Sequence, residues 1–341
     1  MSRNNRLCVP VARIIGLILL AMFPVAEGWA RSSEEARDWF ERMSRAMQTL
    51  NYDATFVYMQ GRQLEAMRII HKSDADGERE RMISLSGMPR EIIRDRGRVA
   101  CVLPDRSSVM VERQRARTPF VGDAQISSEQ VARYYDFLLA GHDRMAGHDA
   151  RVIAIRPKDQ FRYGYRLWLD RATGMLLKSE LIGTDGAVLE QVMLTNLKLL
   201  DEVPSAALEP SLGGEGFVWH QEPKAASDMG RAVEGDRNWK VTRPPAGFVL
   251  TLREKLSLPG NGEQIEHLVL ADGLASVSVF IEKLKGSKQM LKGASHMGAV
   301  NAYGTVVSGH QVTAVGEVPQ ATVSKIGQSV QYIPNGEDER Q

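Results

Sequence analysis

The sequence predicts an α+β protein: a large curved antiparallel sheet covered by helices, followed by a smaller α+β unit. Three observations carry this. Short runs with apolar residues at alternate positions succeed one another, separated by Gly, Pro and Asp turns, as in antiparallel strands joined by tight turns. Helical spacing is confined to three places: near the start, in the middle and at the end. The strand pattern stops at "DEVPSAALEPSLGGEGF", where Pro204, Pro210, Gly213, Gly214 and Gly216 mark a junction. At roughly 100–200 residues per domain, a chain of 341 residues makes two domains.

The chain opens on a segment that is not part of this fold. Arg3 and Arg6 precede an apolar stretch from Leu7 to Phe23, broken only by Arg13. Gly28 and Ala30 then stand at the −3 and −1 positions of a cut after Ala30. This is the pattern of a secretory signal peptide, and its pure apolar core, Ile14 to Phe23, is short for a membrane span. An uncleaved anchor is the alternative. No Cys follows the apolar run, so a lipoprotein signal is excluded. Cys8 leaves with the signal, and Cys101, in the strand pattern "RVACVLP", is the remaining thiol. The exported chain therefore has no internal disulfide and no thiolate metal cage. Cys101 reads as a buried structural residue.

The first expected element is a helix over "RSSEEARDWFERMSRAMQTL", with Ser32 and Glu35 as a capping box. Its apolar stripe is Ala36, Trp39, Phe40, Met43, Met47 and Leu50. A meander follows: "YDATFVYMQ" and "LEAMRIIHK" around Gly61, then "RERMISLSG", "REIIRD", "RVACVLPD" and "SSVMVERQ". "SSEQVARYYDFLLAG" predicts a second helix, with Ser127 and Gln130 as a capping pair and Gly141 as its stop. "ARVIAIRPK", "FRYGYRLWLD", "GMLLKSELIG" and "VLEQVMLTNLKLL" form a second meander. Residues 31–203 make the large domain, 204–216 the linker and 217–331 the smaller domain. That domain holds five further strand patterns and a closing helix over "PQATVSKIGQSVQ". Residues 332–341 are a polar tail.

Composition excludes some functions. The balance of 43 Lys+Arg against 42 Asp+Glu leaves +1, so no basic field draws nucleic acid. There is no GxSxG elbow, HExxH, CxxC or P-loop, so neither an enzyme nor a cofactor is expected. His142 and His148 flank the turn "GHDRMAGHD", which reads as a solvated loop rather than a metal site. Arg113, Arg115 and Arg117 share one face of an extended segment: a solvated loop, or a contact for an anion or an acidic partner. In "FRYGYRLWLD", Phe161, Tyr163, Tyr165 and Leu167 fall on one face, and Phe56, Tyr58, Met67 and Ile69 continue an apolar ladder on the first hairpin. Either the helices fill the space above this ladder, or it lines a cleft for an acyl chain or an apolar peptide side chain. Tyrosines, which need partners for their hydroxyls, suit a surface that is sometimes wet.

These residues carry a resemblance. "ARDWFERMSRAMQTLNYDATFVY" with "MRIIH", and "LPGNG" followed by "HLVLADGLASVSVFIEKL", are similar to the MucB/RseB family of periplasmic regulators of envelope stress. The resemblance spans the whole chain after the signal. It implies that the large domain is a half-open antiparallel barrel like the lipoprotein carrier LolA, with helices over its mouth. It implies a non-enzymatic protein of the periplasm. Its partner would be the periplasmic part of a membrane-spanning anti-sigma factor of the MucA/RseA type, shielded from site-1 proteolysis until a lipid or lipopolysaccharide signal releases it. Self-association is admitted as a further contact. The alternatives are a lipid or lipoprotein carrier of the LolA type, for which the second domain would have no use, and a hydrolase with an unrecognised site.

Overall fold

A computed structural model describes residues 24–95, 98–103, 108–113, 127–211, 218–221, 235–257, 264–284 and 291–334. Helix α1 (Pro24–Thr49) comes first. It begins before Ser32, so the expected capping box lies inside it, and so does the expected cut after Ala30. Its buried side chains are Ala36, Phe40, Met43 and Ala46, one stripe at three- and four-residue spacing.

Among the described residues the large sheet has twelve strands; the chain runs outward from the middle along one half, then starts the other half at its far edge and returns inward. β1 (Tyr52–Gln60) is central. From it β2 (Gln63–Asp74), β3 (Gly77–Ser84), β4 (Glu91–Asp95), β5 (Arg98–Leu103) and β6 (Ser108–Arg113) extend one way as antiparallel neighbours. On the other side β11 (Val188–Leu199) pairs with β1, and β10 (Leu176–Ile182), β9 (Gly164–Asp170), β8 (His148–Pro157) and β7 (Tyr135–Met145) follow in reverse chain order. The strand order ends at β7 on one side and does not close on the other. This is a half-open antiparallel sheet. α1 packs on the β7–β10 half, with the rings of Phe40 and Phe137 edge to face at 5.4 Å.

The expected middle helix is corrected here. Only Ser128–Val131 is helical (α2), Ser127 makes no side-chain cap, and Tyr135–Met145 is strand β7. Local spacing in "VARYYDFLLAG" fits a helix, but pairing with β8 along ten residue pairs decides the matter. Tyr135 and Phe137 are then buried on one face, with Asp136 exposed between them. Gly141, expected to stop a helix, instead sits at a bulge where the register shifts. Cys101 is half-buried rather than buried. "FRYGYRLWLD" is a strand only from Gly164; Phe161 to Tyr163 lead into it.

The junction also differs from expectation. Pro204 to Ser211 is not free chain. A 3-10 turn (Ser205–Leu208) buries Leu208 beside Ile70 and Val203. The buried Arg81 holds this strap through the Ala207 carbonyl at 3.0 Å and the Ser211 hydroxyl at 2.7 Å. Arg81 also forms a two-pronged pair with Glu91 at 3.1 and 2.9 Å. β12 (Val218–Gln221), which the sequence assigns to the second unit, pairs in parallel with β6 and so extends the first sheet.

The second unit has a six-stranded antiparallel sheet. In sheet order it runs β14 (Val249–Ser257), β15 (Gln264–Ala271), β16 (Ser276–Lys283), β19 (His310–Gly316), β18 (Val300–Val307) and β17 (Gly293–Met297). The closing helix α3 (Gln320–Gln328) starts after Pro319 as expected and buries Val323 and Ile326. β13 (Trp239–Val241) and β20 (Val330–Tyr332) pair beside it.

Candidate site at the joint between the two units

The two units meet through the stretch that opens β9. Arg162 is the centre of the contact and is fully buried. Its Nε donates to Asp272 Oδ2 at 2.5 Å, and its two terminal nitrogens donate to Asp159 and to the Ala246 carbonyl. Its guanidinium also lies 4.6 Å from the Tyr134 ring centre and 5.0 Å from that of Phe248. A buried guanidinium is tolerated because its charge is paired and its donors are used.

Asp272 belongs to the "ADGLAS" turn of the second unit. Its Oδ1 accepts the backbone N–H groups of Leu274 and Ala275 at 3.0 and 2.8 Å, which fixes the turn that carries it. Its Oδ2 also accepts from Tyr135 Oη at 3.2 Å. Burial, then the Asp272 charge, pushes the Tyr135 hydroxyl well above its ordinary range, so it is a donor at any working pH. Gly247 completes the contact. Its φ is +90°, and a Cβ there would stand 2.5 Å from the Tyr134 ring.

Further contacts extend the joint. The Phe161 carbonyl accepts from Thr322 Oγ1 at 2.7 Å, and Lys325 Nζ lies 4.6 Å from the centre of the Phe161 ring. Asn301 Nδ2 donates to Tyr163 Oη at 2.9 Å and to the Val318 carbonyl at 2.8 Å. Leu274 and Ala299 of the second unit are members of the apolar cluster that α1 makes with β7–β10.

The sequence-predicted ladder divides between two clusters. Phe56, Met67 and Ile69 are buried together, Phe56 opposite Met67 across β1 and β2, and Tyr58 packs half-buried beside them. Tyr163, Tyr165 and Leu167 are buried in the cluster under α1. Phe161 is half-buried beneath Lys325. In this arrangement Tyr163 and Phe161 meet the second unit, and their polar atoms find partners there. Tyr58 Oη donates to Glu190 at 3.0 Å, and Tyr165 is held neutral by burial and by the Glu317, Asp272 and Glu190 charges. Arg115, Arg117 and the side chain of Arg113 lie outside the described residues.

Sequence reading missed Arg162, Asp272 and Asn301. The alternation rule puts Arg162 on the polar face of its stretch, where solvent is the usual neighbour; its partner is 110 residues away. The quoted "ADG" was a usable signal, since Asp before Gly marks a turn whose carboxylate caps backbone groups.

Among the described residues no cluster of three or more His, Cys, Asp or Glu could hold a metal. His142 is bonded to Arg151, and His148 lies 3.4 Å from Asp170. One relay deserves a chemical test: His267 bonds Glu254 and Ser278, both at 3.1 Å. The order is that of a nucleophilic triad. But Ser278 sits mid-strand, paired on both sides with Val269 and Val315, so its backbone N–H is not free to hold an oxyanion. Phe280 stacks on the imidazole at 4.6 Å. The chain of bonds ties three strands together.

Comparison with known proteins agrees with this two-unit organisation. The family model described as the MucB/RseB N-terminal domain matches residues 35–212, and that of the MucB/RseB C-terminal domain matches residues 233–331. The sigma factor AlgU regulatory protein MucB of Pseudomonas aeruginosa is 32% identical over 306 residues, covering 88% of this chain and 92% of that protein. The solved complex of Pseudomonas aeruginosa MucA and MucB superposes with a TM-score of 0.69 at 29% identity, over 88% of this chain and 99% of that one. A crystal structure of MucB with MucA(peri) gives 0.68 at 30% identity, with the same shares covered.

Proposed function

The chain belongs to the MucB/RseB family, and from that premise we propose that it is a periplasmic regulator that binds the periplasmic part of a membrane-spanning anti-sigma factor. Binding shields the anti-sigma factor from site-1 proteolysis and so keeps an envelope-stress sigma factor repressed. A lipid or lipopolysaccharide signal releases it. The chain reaches the periplasm through the signal segment, cut after Ala30.

One observation carries the reading. Both family domains are present, in order, on a chain whose fold superposes on a MucB that was solved with MucA. The joint supports it further. Arg162, Asp272 and Asn301 set the two units in a defined arrangement, so a long extended segment can contact both at once, which favours binding by raising effective concentration. The test is protease protection. The anti-sigma factor's periplasmic segment is incubated with the site-1 protease, with and without residues 31–341 of this chain. Slower cleavage at stoichiometric amounts supports the proposal; cleavage at an unchanged rate with excess protein refutes it.

A further inference from the structure

We propose that β17, at the edge of the second sheet, takes up an extended segment of the anti-sigma factor as an added strand, backbone to backbone; this rests on the function proposed above. β17 has five residues and pairs with β18 alone among the described strands. Only alternate residues of an antiparallel pair bond across it. The two-residue turns Gly298–Ala299 and Ser308–Gly309 fix which ones. Met297 opposite Val300, and Val307 opposite His310, flank these turns and exchange both bonds. Val300, Ala302 and Gly304 therefore bond β17, while Asn301, Tyr303 and Thr305 bond β19. Ala294 and His296 are left with N–H and C=O groups turned away from the sheet. Among the described residues nothing bonds to them.

Edge backbone is ordinarily guarded by charge, by proline or by a covering segment. The opposite edge of this sheet is guarded in two of these ways. β14 carries Arg253, Glu254 and Lys255, and Arg253 ties a neighbouring stretch to it through the Asp236 and Trp239 carbonyls at 2.7 and 2.8 Å. β7, at an edge of the first sheet, carries Asp136, Asp143 and Arg144. β17 reads "GASHM", with no Lys, Arg, Asp, Glu or Pro. Ala294 to Met297 are all exposed, Met297 at 74%.

The strand is also held in shape at both ends. Just before it the Leu291 carbonyl accepts from Gln311 Nε2 at 3.0 Å, and just after it Ala299 is fully buried in the cluster under α1. A strand formed in advance loses little freedom on binding. The complement of outward N–H and C=O groups at strand spacing is another extended backbone. Position selects the partner over a second copy of this chain. Five residues at one edge fall well short of the roughly 1,200–2,000 Å² that a stable interface buries. A segment that continues past Met297 meets the first unit at once, since a Cβ at Gly298 would lie 3.2 Å from Gln60 Cγ. One segment thus contacts both units, which raises effective concentration. β17 offers no charge, so the run that suits it is uncharged and rich in β-branched or aromatic residues.

The experiment follows amide hydrogen exchange by NMR in the mature chain, residues 31–341, with and without the anti-sigma factor's periplasmic segment, alongside a calorimetric titration of the same pair. Strand addition slows exchange at Ala294 and His296 by at least about tenfold at saturation. His296→Pro removes one outward donor, which an edge position tolerates, and weakens binding about tenfold or more. His296→Ala keeps the backbone and binds as the unmodified chain does. A segment that binds while Ala294 and His296 exchange as in the free chain overturns the added strand and leaves the regulator standing. No binding in the titration overturns both. Equal affinity of the Pro and Ala variants overturns the strand as well, and if the Pro variant does not fold, the exchange measurement decides. Slowing that appears without the segment and grows with protein concentration assigns the edge to a second copy and overturns the proposal.

Discussion

Arg162 shows how one side chain can organise a joint and why it escapes sequence reading. Its charge is out of water and is balanced by Asp272 and Asp159. Removing one side of such a pair leaves the other charge buried, which costs about 3–5 kcal/mol. Arg162→Ala should therefore lower the unfolding free energy by about that amount in denaturant titrations. Asp272→Ala should do the same, and the double variant should lose clearly less than the sum, because both changes remove one interaction. Additive losses would mean that the pair is not coupled. Tyr165 is a second case. The sequence reading places it in the lining of a cleft; in the structure it is 8% exposed within the cluster under α1. Tyr165→Ala should cost about 3–5 kcal/mol, the value for emptying an aromatic site in a core. A loss near 1 kcal/mol, the general centre for substitutions, would show that the ring stands in open space instead.

At the scale of elements, most strands were legible because period-two alternation and turn chemistry agree there. The hairpin around Gly61 and the "DRATG" turn are examples; in the latter Asp170 accepts from Thr173 N and Oγ1 at 2.9 and 2.6 Å. β7 was not legible. Its "VARYYDFLLAG" satisfies both periods over a short run, and only the partner strand β8 selects extended backbone. The strap was misread for a related reason. Pro and Gly mark where regular structure ends, but they do not say whether the chain then lies on a neighbour. Burial opposes the charge of Glu91, but the bonds from Arg81 and Ser211 outweigh it and hold its carboxyl below its ordinary value. The strap's hold is accordingly full above the ordinary Glu value and is lost as pH falls through the lower, folded one. α1 and β7 offer a direct packing test. Phe40→Ala and Phe137→Ala should each cost about 3–5 kcal/mol. The pair should be non-additive, since the two rings touch. Measured losses under 1 kcal/mol for both would mean that α1 does not cover the sheet.

At the scale of the molecule, the family resemblance was legible from runs near both ends of the chain, whereas the pattern break near residue 204 falls on a stretch that lies against the first unit. The joint was not legible. Among the described residues the hydrogen bonds across it link residues more than 80 apart, such as Tyr163 to Asn301 and Phe161 to Thr322, and local pattern carries no trace of such pairings. The two units act as one binding body. A chain cut to residues 31–203 lacks Asp272, Asn301 and the whole second unit. It should bind an anti-sigma segment at least about tenfold more weakly than the mature chain, since the linked second contact is gone. The most direct measurement is calorimetric titration of the mature chain, residues 31–341, with the periplasmic segment of the anti-sigma factor from the same cell. Saturable binding at a defined stoichiometry, weakened by loss of the second unit, is the predicted result. No heat and no complex at concentrations well above the micromolar range would contradict the account.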